Sequence, residues 1–175
     1  ALGYIVPGLE SLIERGQEIL TRHLARLALN VVGWRDVPTR PEFVGEQARS
    51  CMPAICQVFV NAPAGWRPHD VERQLFAARR FAFEEERKLP DADPLYYVVT
   101  LSNLTMVYKG LVQAEHLADF YPDLRDERMT SSIGICHQRF STNTLPQWRH
   151  VADENGGVRE PSAPKNHSPR PVSAK

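Results

Sequence analysis

The twelve residues HQRFSTNTLPQW at positions 137–148 concentrate the side chains best suited to hold a small polar molecule. Arg139 offers a planar fork of N–H donors, and Ser141, Thr142 and Asn143 follow it with short donors and acceptors. At a strand-to-loop junction this set suits a carboxylate, which can accept two parallel hydrogen bonds from a guanidinium. Function often sits at such junctions. A plainer reading pairs Arg139 with a nearby acid and uses Ser141, Thr142 and Asn143 to cap a turn that Pro146 completes. On residue types alone the plainer reading is the better of the two.

Other candidate chemistry is weaker. Cys136, His137, His150 and His167 match no zinc spacing. Cys136 follows an apolar run and reads as a small core residue rather than a nucleophile. Glu84, Glu85 and Glu86 read as a solvated helix face.

The elements that must position the 137–148 segment follow from periodicity. Residues 3–6 read as a short strand ended by Pro7 and Gly8. Leu9, Leu12, Ile13, Leu20, Leu24 and Leu27 recur at helical spacing, with Ser11 and Glu14 spaced as a capping box and Gly16 a mild interruption. Residues 30–34 and 55–60 read as strands, with loop at 38–45 between them. Asp70 is the expected N-cap of a helix that carries Val71, Leu75, Ala78 and Ala82 on one face and ends before Pro90. Residues 95–101 and 104–109 read as a hairpin turning at Ser102 and Asn103. A short helix over 113–120 and a last strand over 132–136 complete the order. The pattern is α+β, and its hairpins exclude a purely parallel, doubly wound sheet.

Length and composition bound the rest. At 175 residues the chain suits one domain with a real core. Lys plus Arg equal Asp plus Glu at 21 each, so no global field draws nucleic acid or an anionic membrane. No apolar run is long enough to span a bilayer, and the N-terminus lacks the basic start of a signal peptide. Three cysteines fit neither a metal motif nor a disulfide framework, which makes a reducing cytoplasmic setting the expectation. From Arg149 onward the chain holds four prolines and no Phe, Tyr or Trp, so 149–175 is expected to be a disordered Pro-rich tail behind a domain at 1–148.

Several segments in order carry a family resemblance: GWRDVP at 33–38, MPAICQVFV at 52–60, VYKG at 107–110, FYPDL at 120–124 and the 137–148 motif. Together they resemble the glutaminase domain of glutamate synthase, a large-subunit class II glutamine amidotransferase. The resemblance implies an N-terminal-nucleophile fold, with a sandwich of antiparallel sheets between helix layers. It implies hydrolysis of the glutamine side-chain amide to glutamate and ammonia, with the ammonia passed to 2-oxoglutarate in separate synthase domains. FMN and an iron–sulfur cluster belong to those domains, so no cofactor is expected in this chain. Its implied partners are glutamine and the remaining glutamate synthase domains, with no nucleic acid and no membrane. By the same resemblance Arg139 holds the glutamine carboxylate, with Ser141, Thr142 and Asn143 shaping the wall.

The sequence departs from the family at both ends. The family's nucleophile is a cysteine at the mature N-terminus, activated by its own α-amine, whose ordinary pKa of about 7.7–8.0 suits a base near neutrality. Here position 1 is alanine and no cysteine precedes Cys51. Beyond Trp148 the family runs on toward a His-Asn-Gly-Glu oxyanion motif, where this chain has Arg149, His150 and Val151. Gln138 and Leu145 replace the family's usual serine and phenylalanine. The expectation is a domain truncated at both ends, inactive alone, with no catalytic residue of its own. The alternative is a non-catalytic binding or interaction module that kept the fold without the nucleophile.

Overall fold

The computed structural model describes residues 2–5, 10–89, 96–138 and 148. Its chain order is β1 (Leu2–Ile5), α1 (Glu10–Arg26), β2 (Asn30–Asp36), α2 (Glu46–Ser50), β3 (Ala54–Asn61), α3 (Pro68–Glu86), β4 (Tyr97–Thr100) and α4 (Leu117–Phe120). Short 3₁₀ turns occupy Pro41–Phe43, Ala114–His116 and Pro122–Arg125. The strands form one antiparallel sheet in the order β2-β3-β1-β4. Mixed helices around an antiparallel sheet make the fold α+β.

The alternation of β3 and β4 gives the sheet two buried faces, because successive side chains of a strand point to opposite sides. Val58 and Val98 join Ile19, Leu20 and Leu24 of α1 and Val71, Leu75, Ala78 and Ala82 of α3 in one core. Ile55 and Val99 face the other way, into a second core with Val37, Val44, Phe120, Tyr121 and Trp148. The apolar face read for α3 is the one buried; of the face read for α1, Leu20 and Leu24 are buried, Leu12, Ile13 and Leu27 are half-buried, and Leu9 lies outside the described residues.

Two local features explain how α1 fits. It ends in a Schellman-type turn, with Leu29 N–H donating to Leu24 O (2.9 Å) and Ala28 N–H to Ala25 O (3.1 Å). Ala28 takes a left-handed φ of 59°, a geometry usually left to glycine, and the burial of Leu29 offsets the cost. Gly16 has a packing reason: a Cβ there would lie 2.5 Å from Cε2 of buried Tyr96, whose hydroxyl donates to Gly16 O at 3.2 Å.

Several expectations are corrected. Helix α1 already begins at Glu10, so Ser11 lies inside it and not at an N-cap. Helix α3 starts at Pro68 behind Arg67, and Asp70 sits in the first turn, accepting from Arg67 Nε at 2.8 Å. The loop read over 38–45 contains the 3₁₀ turn Pro41–Phe43, and helix α2 follows it in residues to which no element had been assigned. Residues 104–109 form no strand and no hairpin: Ser102 Oγ accepts from Leu104 and Thr105 N–H, while Glu72 of α3 accepts from the Ser102 hydroxyl at 2.8 Å. These bonds close a turn against α3 and direct the chain away from β4. The helix read over 113–120 divides into the 3₁₀ turn Ala114–His116 and the single turn of α4.

Residues 132–136 form no strand either, and Cys136 is exposed, not a core residue. Glu86 is buried against Arg15 at 2.8 Å, and Glu85 bonds His23 of α1, so the three glutamates are not simply a solvated face. The tail proposed at 149–175 lies outside the described residues.

Candidate functional site

Strands β2 and β3 set the floor of the site on the sheet face opposite α1 and α3. Their register puts Arg35 across from Gln57, and Arg35 Nε donates to Gln57 Oε1 at 2.7 Å. The same guanidinium reaches Asp123 with two nitrogens: Nη1 donates to Oδ1 at 3.4 Å and Nη2 donates to Oδ2. The Tyr108 hydroxyl also donates to Asp123 Oδ2, at 3.0 Å. Asp123, in the turn Pro122–Arg125, thus ties that turn and residue 108 to the sheet.

The electrostatics follow from this packing. The hydrogen bond to Asp123 raises the Arg35 pKa further above its ordinary range. Burial first and Asp123 second push the Tyr108 phenol up to about 12. Burial first and Asp36 second push the Cys56 thiol up to about 11, with Sγ 3.5 Å from Asp36 Oδ1. Cys56 is therefore a protonated packing group near neutral pH and a poor nucleophile.

Next to this network lies an aromatic cluster. Phe120 and Tyr121 meet edge to face with centroids 4.5 Å apart, and Phe120 lies 5.9 Å from Trp148. The Tyr121 hydroxyl donates to Lys109 O at 2.6 Å, and Arg40 N–H donates to Phe120 O at 2.9 Å. Trp148 is held at two points: its indole N–H donates to Ala48 O at 2.9 Å, and its carbonyl accepts from the Tyr97 hydroxyl at 2.8 Å. Gly110 lets the ring approach, since a Cβ there would lie 3.2 Å from Trp148 Cζ3.

Arg139, Ser141, Thr142 and Asn143 lie outside the described residues. Of their neighbours, His137 and Gln138 are exposed and Trp148 is buried. The structure brings together residues that the sequence reading left unassigned, namely Arg35, Gln57, Tyr108, Asp123, Tyr97 and Ala48. Most sit inside the quoted segments, which was the available signal. Their roles were hidden because Arg35 and Asp123 are 88 positions apart and Ala48 and Trp148 are 100.

Chemically, the described part of the site is a clamp. It carries a paired cation and anion, a phenol with a raised pKa and two pinned aromatic groups, whereas the Cys56 thiol lies on the opposite face of the sheet, toward α1. Among the described residues, no group of three or more His, Cys, Asp or Glu side chains is placed to hold a metal ion. No helix among them is long and apolar enough to cross a membrane.

Comparison with known proteins agrees with this convergence. The sequence model of the class-II glutamine amidotransferases matches residues 3–153. The chain is 38% identical over 143 residues to the ferredoxin-dependent glutamate synthase of spinach chloroplasts, covering 82% of this chain and 9% of that protein. It is 40% identical over 118 residues to the large chain of the NADPH glutamate synthase of Azospirillum brasilense, covering 67% of this chain and 8% of that protein. A ferredoxin-dependent glutamate synthase of Synechocystis is 39% identical over 120 residues, covering 69% of this chain and 7% of that protein. The chain thus spans less than a tenth of the length of these curated relatives. With glutamate synthases as its relatives, and with the segments that carry the likeness gathered around one clamp, the chain belongs to the class-II glutamine amidotransferase family.

Proposed function

We propose that this chain is part of the glutaminase domain of a glutamate synthase, the unit that hydrolyses the glutamine side-chain amide so that ammonia can pass to 2-oxoglutarate. The observation that carries the reading is the meeting of the family segments in space. Arg35 of GWRDVP, Gln57 of MPAICQVFV, Tyr108 of VYKG and Asp123 of FYPDL form one hydrogen-bonded network. Trp148 of the 137–148 motif packs on Phe120 of FYPDL. A module that had kept only its shape would have no need of the substrate-holding motif, and no observation favours that alternative.

On this reading Arg139 binds the glutamine α-carboxylate through two parallel hydrogen bonds, and Ser141, Thr142 and Asn143 line the same subsite. The domain completes an N-terminal-nucleophile sandwich, of which the sheet β2-β3-β1-β4 is one layer. The nucleophile is the family's N-terminal cysteine, a role that none of Cys51, Cys56 and Cys136 takes. FMN and the iron–sulfur cluster, which supply the redox chemistry of the synthase, reside in other domains. The three free cysteines support a reducing, cytosolic compartment.

The test is Arg139→Lys in the full-length polypeptide. An ammonium cannot reproduce two parallel hydrogen bonds to a planar carboxylate. Glutamine affinity should fall roughly tenfold to a hundredfold, the equivalent of about 1.5–3 kcal/mol, with the thermal midpoint unchanged. Unchanged affinity with a lowered midpoint would make Arg139 a scaffold residue and sink the reading.

A further inference from the structure

Helix α3 carries a second periodic stripe, on the side turned away from its core. Val71, Leu75, Ala78 and Ala82 are buried against the sheet. His69, Arg73, Phe76 and Arg80 each stand two positions before one of them, about 200° round the helix, and Phe83 and Arg87 continue the spacing. His69, Arg73, Phe76 and Arg87 are exposed, Phe76 by 62%, while Arg80 and Phe83 are half-buried. Along this stripe a ring and a cation alternate at every step. The acids of α3 do not neutralise it evenly, because Glu72 is engaged by Ser102, Glu85 by His23 and Glu86 by Arg15. Asp70 and Glu84 remain on the outer side, 3.6 Å from Arg73 and 3.2 Å from Arg80.

Ring and cation already meet within one copy. The Arg87 guanidinium lies 5.8 Å from the centre of the Phe83 ring, and Arg73 Nη2 lies 3.4 Å from His69 Nδ1. The register then identifies what could cover the stripe. Two copies of α3 laid antiparallel about a two-fold axis level with Ala78, near the middle of Pro68–Glu86, place His69 across from Arg87, Arg73 across from Phe83 and Phe76 across from Arg80. Each level then pairs a ring of one copy with a cation of the other. One position off this register, Asp70 comes beside Arg87 and Arg73 beside Glu84, so the charges match as well. Such self-complementarity is what an isologous contact requires. From this we propose that α3 is the face through which two copies of this chain pair, antiparallel, about a two-fold axis. The clamp of Arg35 and Asp123 stays open in such a dimer, because it lies on the face of the sheet opposite α3. One helix pair falls at the small end of specific interfaces, below about 1,200 Å², so association in the micromolar range is expected.

The test is sedimentation equilibrium of the full-length polypeptide and its charge-swapped variants. Arg73→Glu and Glu84→Arg each set like charges side by side twice across the axis, and each should weaken the dimer about tenfold or more. The combined variant restores opposite charges and should return to within about threefold of the wild type. Phe76→Ser removes the ring across from Arg80 and should weaken the dimer in the same way. At dilute concentration all four variants should keep the wild-type thermal midpoint within about 2 °C, since these outer side chains have little packing to lose. A wild type that stays monomeric up to about 100 µM, where a micromolar contact would be formed, overturns the proposal. A dimer that ignores both single charge variants, or a combined variant no tighter than the single ones, overturns it equally.

Discussion

Cys56 illustrates how a residue type acquires its chemistry from its surroundings. A free cysteine ionises near pH 8.5 and is reactive, but this thiol is buried in β3 and sits beside the Asp36 carboxylate. Desolvation and the like charge push its pKa up to about 11, so at pH 8 only about one molecule in a thousand carries the thiolate. Cys51 and Cys136 are exposed. Iodoacetamide at pH 8, followed by peptide mass spectrometry, should label those two first and Cys56 at least about a hundredfold more slowly. Equal labelling of all three would mean that β3 opens readily. The sequence reading found three unpaired thiols correctly but misplaced Cys136, because an apolar neighbourhood in sequence is not a packed one in space.

Between elements, the charges joining α1 to α3 are a pH-sensitive latch. His23 Nε2 lies 2.8 Å from Glu85 Oε2, Arg22 bonds the other oxygen, and Arg15 bonds Glu86 one residue further along α3. Burial pushes the Glu85 carboxyl up, yet the hydrogen bonds from His23 and Arg22 outweigh it and hold the pKa below its ordinary 4.5. A depressed folded-state pKa means that the unfolded chain takes up the proton first. The stabilisation is therefore present above the unfolded value and is lost as pH falls through the folded one. The wild-type thermal midpoint should drop more steeply than that of Glu85→Gln between about pH 5 and pH 3, and the two should run parallel above about pH 6. Parallel curves throughout would show that the latch contributes nothing. None of this was readable from the run of three glutamates, since which of them turns inward depends on where α1 packs.

At the scale of the whole molecule, the two cores leave an apolar run uncovered. Leu104, Met106, Ile133 and Ile135 are between 52% and 92% exposed, and no Asp, Glu, Lys or Arg occurs between Met129 and Gln138. An extended apolar stretch without charges invites association with other chains. Ile135→Lys should reduce concentration-dependent self-association of the 175-residue polypeptide in sedimentation experiments. It should leave the thermal midpoint within about 1 °C, because a side chain 92% exposed has little packing to lose. A large fall in midpoint would place Ile135 in a core.

What the sequence determined by itself was whatever is local or carried by ordered motifs. The faces of α1 and α3 follow from apolar spacing within one helix, β3 from a run of β-branched and apolar residues, and the family from five segments in order. The tertiary structure alone decided what depends on distant neighbours. Glu72 of α3 captures Ser102 and turns residues 104–109 out of the hairpin that their composition suggested. Residues 132–136 have the composition of a strand but are not one, since a strand exists only where another backbone accepts and donates its hydrogen bonds. The Arg35–Asp123 pair and the Trp148 anchor join residues 88 and 100 positions apart, distances over which no periodicity carries information.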